Sequence, residues 1–269
     1  MPIYKPSELH QLGVRAKKRL SQNFLIDQNI LEKICVAADI QKRDLILEIG
    51  PGPGALTEHM LKKGALVYAI EKDPELAEKL TRLKSERLTV FCADALEFPI
   101  DSLPHNLKVV ANLPYNITTP IIIRFIDKFP QITSLTVMVQ REVGQRMVAE
   151  VNSAMYSSFT MFLSAYSTPH YCFTVKPNSF FPAPSVHSSV VHMSLKKFPF
   201  PFSEKEFFSM TRKAFGKRRK MLKSSLKEDY PQEKIGQALM ELGINPSARP
   251  QELSLAEFGA LFEKLAEAN

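Results

Sequence analysis

From Asp44 onward, short apolar runs alternate with stretches whose apolar positions recur at helical spacing. The run at 45–49 ends in a Gly/Pro turn and reads as a strand. Positions 56–63 follow with helical spacing and stop at Gly64, a natural cap. A second strand at 66–70 leads to a helix at 74–83 with Pro in its first turn. Strands at 88–92 and 108–111, a helix at 119–129, a strand at 135–139 and a charged amphipathic helix at 141–151 continue the series. Strand, helix, strand in that order predicts a parallel sheet with helices on both faces, an α/β fold.

After residue 152 the pattern changes. A helix is expected at 157–166. Strands at 171–175 and 186–195 flank a Pro-rich loop from 177 to 184. Phe198-Pro199-Phe200-Pro201 reads as a linker. Beyond it the spacing is helical, at 204–215, 218–226, 232–239 and 255–268. The expected division is therefore 1–200 and 201–269.

Composition narrows the class. Of 269 residues, 45% are hydrophobic, which excludes global disorder. No apolar run approaches the roughly 18 residues of a membrane span. The charged N-terminal stretch lacks the apolar segment of a signal peptide. Cys35, Cys92 and Cys172 lie far apart with no CxxC, which argues against a disulfide scaffold or cysteine zinc site and for a reducing cytoplasm. No metal is expected, and without coiled-coil heptads a monomer is expected.

The net charge of +7 is clustered. Residues 203–227 hold nine basic against two acidic side chains, and residues 1–30 hold five against two. The tail from 228 is acidic. Two basic clusters around a nearly neutral middle point to a polyanion, because phosphate neutralisation releases counterions.

Glu48-Ile49-Gly50-Pro51-Gly52-Pro53-Gly54-Ala55 joins the first strand to the first helix. Gly50 and Gly52 let the backbone turn sharply and approach a ligand. The string also satisfies the dinucleotide template G-x-G-x-x-A, so NAD must be weighed. That template needs loop amides around a pyrophosphate, and Pro51 and Pro53 have no N–H. A nucleoside cofactor without a pyrophosphate, such as S-adenosyl-L-methionine, fits better. Glu71, ending the second strand, can accept from both ribose hydroxyls. Asp94, after the third, can reach the exocyclic amine of the cofactor adenine.

Asn112-Leu113-Pro114-Tyr115 follows the fourth strand, at the sheet end that faces a cofactor crevice. The motif suits methylation of an exocyclic amine. Adenine N6 is a poor nucleophile, since its lone pair is delocalised into the ring. Asn112 Oδ1 and the Leu113 carbonyl are candidate acceptors for its hydrogens. Pro114 fixes the backbone, and the Tyr115 ring can stack on a flipped base.

With this loop and this motif together, the chain resembles the KsgA/RsmA family of ribosomal RNA adenine dimethyltransferases over nearly its whole length. Lys17-Lys18-Arg19-Leu20-Ser21-Gln22-Asn23-Phe24-Leu25 is similar to the family's N-terminal motif. Leu47 to Thr57 resembles its cofactor loop. Val139-Gln140-Arg141-Glu142-Val143 with Arg146-Met147 resembles the segment after its fifth strand. Phe180-Phe181-Pro182-Ala183-Pro184 resembles its Phe-x-Pro-x-Pro loop, and Phe215-Gly216-Lys217-Arg218-Arg219-Lys220-Met221-Leu222 its basic C-terminal helix.

The resemblance implies a Rossmann-like class I methyltransferase sheet with the last strand antiparallel, plus a small helical C-terminal domain that binds RNA. It implies S-adenosyl-L-methionine held by Asn23, Leu25, Gly50, Glu71, Asp94 and Asn112. The implied target is a pair of adjacent adenosines near the 3′ end of small-subunit (16S) rRNA, each dimethylated on N6 in a nearly mature small ribosomal subunit. Phe180 is a candidate to stack on the target base opposite Tyr115, with a core aromatic in the Pro-rich loop as the other reading of the same residue. Lys17, Lys18 and Arg19, with Arg218, Arg219, Lys220 and Lys223 along one helix face, are expected to meet phosphates.

Ser21, Ser185 and His187 stand where the family often has Gly, Lys and an acidic residue. The alternatives are a large-subunit rRNA adenine methyltransferase of the macrolide-resistance type, a non-catalytic RNA-binding assembly factor, and a dinucleotide oxidoreductase.

Overall fold

The computed structural model describes residues 6–11, 13, 16–17 and 22–267. In chain order the elements begin with α1 (Pro6–Gln11), β1 (Phe24–Leu25), α2 (Gln28–Ala37), β2 (Leu45–Ile49), α3 (Ala55–Lys62), β3 (Leu66–Glu71) and α4 (Pro74–Leu80). Next come β4 (Leu88–Cys92), β5 (Leu107–Asn112), α5 (Thr118–Ile126), β6 (Ile132–Gln140), α6 (Arg141–Met147) and α7 (Ser158–Tyr166). The remainder is β7 (Ser167–Val175), β8 (Phe180–Phe181), β9 (Ser188–Leu195), α8 (Glu204–Gly216), α9 (Leu222–Ser225), α10 (Gln232–Glu241) and α11 (Leu255–Glu267).

A seven-stranded sheet runs in the order β4-β3-β2-β5-β6-β9-β7. The first five strands are parallel, and β9 inserts antiparallel between β6 and β7. The central strands are apolar on both faces, as a helix-covered sheet requires. Ile46 and Leu47 of β2 and Leu107 and Val110 of β5 have no exposed surface. The chain leaves β2 toward β3 on one side and later returns to β5 on the other. That reversal opens a crevice at the carboxyl ends of β2 and β5. Residues 24–25 of β1 pair antiparallel with β8, Leu25 opposite Phe180.

The helices start where local chemistry allows. Asp27 caps α2, its Oδ1 accepting from Asn29 N at 3.0 Å. Asp73 caps α4 ahead of Pro74. Gly54 precedes α3 at φ +89°, and a Cβ there would meet Leu80 Cδ2 at 2.6 Å. No other residue type meets both conditions.

Two compact units emerge: 1–144 with 167–196, and 145–166 with 197–269. The sequence division at residue 200 differs from this grouping in keeping 145–166 with the first part of the chain. Within the second unit, Phe162 and Tyr166 of α7 lie 5.0 and 5.8 Å from the Phe208 ring of α8. That aromatic face, not the sheet, groups α7 with the C-terminal helices. Phe200 sits so close to Gly259 that a Cβ there would lie 2.3 Å from its ring. No helix among the described residues is long and apolar enough to cross a membrane.

The helix expected at 218–226 shrinks to the four residues of α9. Lys217 to Lys220 are four successive cations ahead of that helix. They repel one another and oppose the positive end of its dipole. Residues 217–219 form a turn instead.

Candidate active site

The cleft at the carboxyl ends of β2, β3, β4 and β5 gathers most of the expected residues. Asn23, Leu25, Gly50, Gly52, Glu71 and Asp94 line it, and so do Asn112, Leu113, Pro114 and Tyr115.

The loop after β2 keeps its amides to itself. Gly50 N–H donates to Ile70 O, Gly52 N–H to Glu71 Oε2 and Gly54 N–H to Pro51 O, each at 3.0 Å. Pro51 and Pro53 have none to give. No glycine N–H here is left for a pyrophosphate, which argues against dinucleotide binding. Gly50 and Gly52 adopt φ of +66° and +57°, and the Phe24 ring lies 3.2 Å from where a Gly52 Cβ would be. Arg82 holds the loop from behind, Nη2 donating to Pro53 O at 2.8 Å.

Glu71 is buried at the end of β3. Its Oε1 accepts from Asp73 N–H at 2.9 Å, and burial raises its pKa above the ordinary carboxylate value in spite of these donors. Asp94 is oriented differently. Lys72 Nζ donates to its Oδ2 at 2.6 Å and Leu96 N–H to its Oδ1 at 2.9 Å. Lys72 first, then Leu96, holds its pKa below the usual range. It is a hard, fixed acceptor at the rim.

At the end of β5, Asn112 Nδ2 donates to Asn23 O at 3.1 Å. Leu113 N–H reaches Met138 O and Ile117 N–H reaches Pro114 O, each at 3.1 Å, so the motif is a braced turn. The Tyr115 hydroxyl and Ser188 Oγ are 2.7 Å apart. Burial raises the phenol pKa, so Tyr115 is a neutral ring near neutral pH. The arrangement presents acceptors beside an aromatic face.

Other expected residues lie elsewhere. Phe180 is only 3% exposed. It packs in the core with Leu25, Val175 and Val190, so it is no open stacking surface. Lys17 pairs with Asp73 and Glu75 at 2.8 and 3.2 Å instead of standing ready for phosphate. Lys18, Arg19 and Ser21 lie outside the described residues. Arg218 turns inward within its unit, donating to Ala154 O at 2.6 Å and Ser153 O at 2.8 Å. Arg219 and Lys220 are exposed, and Lys223 is half-buried on α9.

Sequence reasoning missed Gln22, Glu48, Lys72 and Asp73. Glu48 lines the cleft, fully buried, with Thr57 Oγ1 donating to its Oε2 at 2.6 Å. Burial pushes its pKa up to about 8. A charged residue inside an otherwise apolar strand was the available signal.

Sheet order and cleft together define a Rossmann-like methyltransferase of class I. The chain belongs to the ribosomal RNA adenine dimethylase family, whose sequence model matches residues 13–267. A ribosomal RNA small subunit methyltransferase A from Protochlamydia amoebophila (strain UWE25) is 50% identical, with 98% of each chain covered. One of the same name from Chlamydia trachomatis serovar L2 is 45% identical over 97% of this chain and 96% of its own.

A crystal structure of a dimethyladenosine transferase from Plasmodium falciparum matches with a TM-score of 0.80 and 27% identity, over 91% of this chain and 98% of that one. The 23S rRNA methyltransferase ErmE matches with a TM-score of 0.74 at 24% identity, over 91% of this chain and 100% of its own, and shares the fold. The chain is an rRNA methyltransferase of that family, which implies a methyl donor of the S-adenosylmethionine type.

Proposed function

We propose that the chain dimethylates N6 of two adjacent adenosines near the 3′ end of small-subunit rRNA, in a nearly mature small subunit, using S-adenosyl-L-methionine. The observation that carries this is the gathering in one cleft of the glycine loop, Glu71 and Asp94 with the Asn112–Tyr115 turn. The names of the relatives at 50% and 45% identity support the small subunit as substrate.

The residues present fit this cofactor. Buried Glu71 offers a carboxylate for the ribose hydroxyls, and Asp94 an ionised acceptor for the adenine amine. The glycine loop, its N–H groups already engaged, suits a ligand without a pyrophosphate. Asn23, Leu25 and Gly50 complete the walls. Bound there, S-adenosyl-L-methionine supplies an activated methyl group.

The chain's own residues prepare the acceptor. Asn112 Oδ1 and the Leu113 carbonyl accept from the two hydrogens of the target amine in the first transfer, one of them from the single hydrogen left in the second, and draw N6 toward tetrahedral geometry. Each transfer forms one N6–CH3 bond and releases one N6 proton to water. Pro114 stiffens that carbonyl's position, and the Tyr115 ring stacks on the base. No general base with a shifted pKa is needed. Catalysis is positioning and electrostatics. Arg219, Lys220 and Lys223 hold rRNA phosphates from the second unit. The enzyme acts as a cytoplasmic monomer.

The test is complementation of cells that lack small-subunit adenosine dimethylation, followed by mass analysis of both rRNAs. Two adjacent N6,N6-dimethyladenosines in the small-subunit rRNA would support the proposal. Methylation in the large-subunit rRNA, or none, would contradict it.

A further inference from the structure

Asp73 lies where the first segment of the chain meets the cleft. It is 3% exposed and caps α4, accepting from Glu75 N–H at 3.2 Å. Two side chains of the N-terminal segment converge on it. Lys17 Nζ donates to Oδ1 at 2.8 Å, and Gln22 Nε2 to Oδ2 at 3.3 Å. Gln22 is in turn held by Lys17, whose N–H donates to Gln22 Oε1 at 2.8 Å. Below these contacts, Leu9 and Phe24 pack with Leu76 of α4.

The other face of Asp73 points to the site. Its N–H donates to Glu71 Oε1 at 2.9 Å. One residue therefore joins the segment that crosses the cleft to the carboxylate proposed for the ribose. Burial would raise Asp73, but the donors, Lys17 and Gln22 first, outweigh it and hold the carboxyl below its usual range. It is an ionised anchor.

We propose that Lys17 and Asp73 are positioning residues: their ion pair, with Gln22, fastens residues 22–25 across the cofactor cleft and keeps Glu71 aimed into it. This rests on the reading of the cleft as the S-adenosylmethionine site. It reassigns Lys17 from RNA phosphates to the cofactor. Asn23 and Phe24 gain their places by this fastening, since they follow Gln22 directly and contact Asn112 and the Gly52 loop.

The test uses the full chain and four forms: wild type, Lys17→Met, Lys17→Arg and Asp73→Asn. Calorimetry gives Kd for S-adenosylmethionine, and methyl-transfer kinetics on small subunits give KM and kcat. Lys17→Met is expected to raise Kd and KM for the cofactor about three- to fivefold, the range of a partly exposed ion pair. The effect falls on cofactor binding, not on kcat at saturation or KM for the subunit. Lys17→Arg restores most of the affinity. Asp73→Asn, which still caps α4, weakens cofactor binding as Lys17→Met does. Wild-type affinity weakens from about 0.05 to about 0.5 M salt, and Lys17→Met loses that dependence.

Unchanged cofactor affinity in Lys17→Met, with a raised KM for the subunit, would overturn the proposal and return Lys17 to phosphate binding. A wild-type chain that binds no S-adenosylmethionine would overturn the reading of the cleft itself, and is seen before any variant is made.

Discussion

The side-chain amide of Asn112 donates to the main-chain carbonyl of Asn23 across 3.1 Å. That bond joins β5 to a segment 89 positions earlier in the chain, and it sets the amide's orientation. With the nitrogen committed to Asn23, the end left for substrate is Oδ1, which can only accept. An acceptor is what an amine nucleophile requires there.

Replacing Asn112 by Ala is therefore predicted to lower kcat by about 10²–10³, the scale of losing one aligned polar group at a reacting centre. Cofactor affinity should fall less than about tenfold, and subunit binding should persist. Asn112→Asp should also fail, since its carboxylate faces the Asn23 carbonyl without a hydrogen between them. Single-turnover transfer with parallel binding assays checks both.

Glu48 predicts a pH dependence. The folded chain holds its carboxyl proton up to about 8, against an ordinary value of 4.5. The unfolded chain binds fewer protons between those values, so stability is lost as pH rises through that window and is intact below it. Glu48→Gln stays neutral and keeps an acceptor for Thr57. Its stability gain over wild type should be small at about pH 5 and grow to roughly 2–5 kcal/mol by about pH 8.5. Denaturant melts across that range decide it. A gain independent of pH would contradict the assignment.

Ser189 carries a buried hydroxyl with no partner among the described residues. The same Oγ lies 2.1 Å from where a Cβ on Gly144 would sit. Gly144→Ala should thus cost about 1–3 kcal/mol by overpacking, while Ser189→Ala should be neutral or stabilising. In the Ser189→Ala background the cost of Gly144→Ala should shrink. Additive losses in a double-mutant cycle would refute the steric account.

The basic cluster separates into two roles. Arg218→Ala should lower thermal stability by about 1 kcal/mol, because it frees the carbonyls of Ser153 and Ala154. Arg219→Glu with Lys220→Glu should leave melting unchanged and weaken subunit binding, most strongly at low salt. Melting curves and filter binding across salt concentrations distinguish them.

The sheet was legible because its strands are short apolar runs ended by Gly, Pro or acid. Residues 45–49 and 88–92 coincide with β2 and β4. Nothing was predicted over α2, although Asp27 as a cap and Ile30, Leu31, Ile34 and Cys35 at helical spacing spell it out. The pairing of β1 with β8 was not legible, since two residues carry no period and their partner lies some 150 positions away. The loop and turn residues that line the cleft were visible because each follows the end of a legible strand. The surroundings of Phe180, Lys17 and Arg218 are built by distant segments that local sequence does not show: a β-pair, a helix cap and two carbonyls.

The most direct measurement is transfer of labelled methyl from S-adenosyl-L-methionine to small and large ribosomal subunits lacking adenosine dimethylation, followed by mass analysis of the nucleosides. The expected result is N6,N6-dimethyladenosine in the small subunit alone, formed about 10²–10³ more slowly by Asn112→Ala. Label in the large subunit, or wild-type transfer by Asn112→Ala, would contradict it.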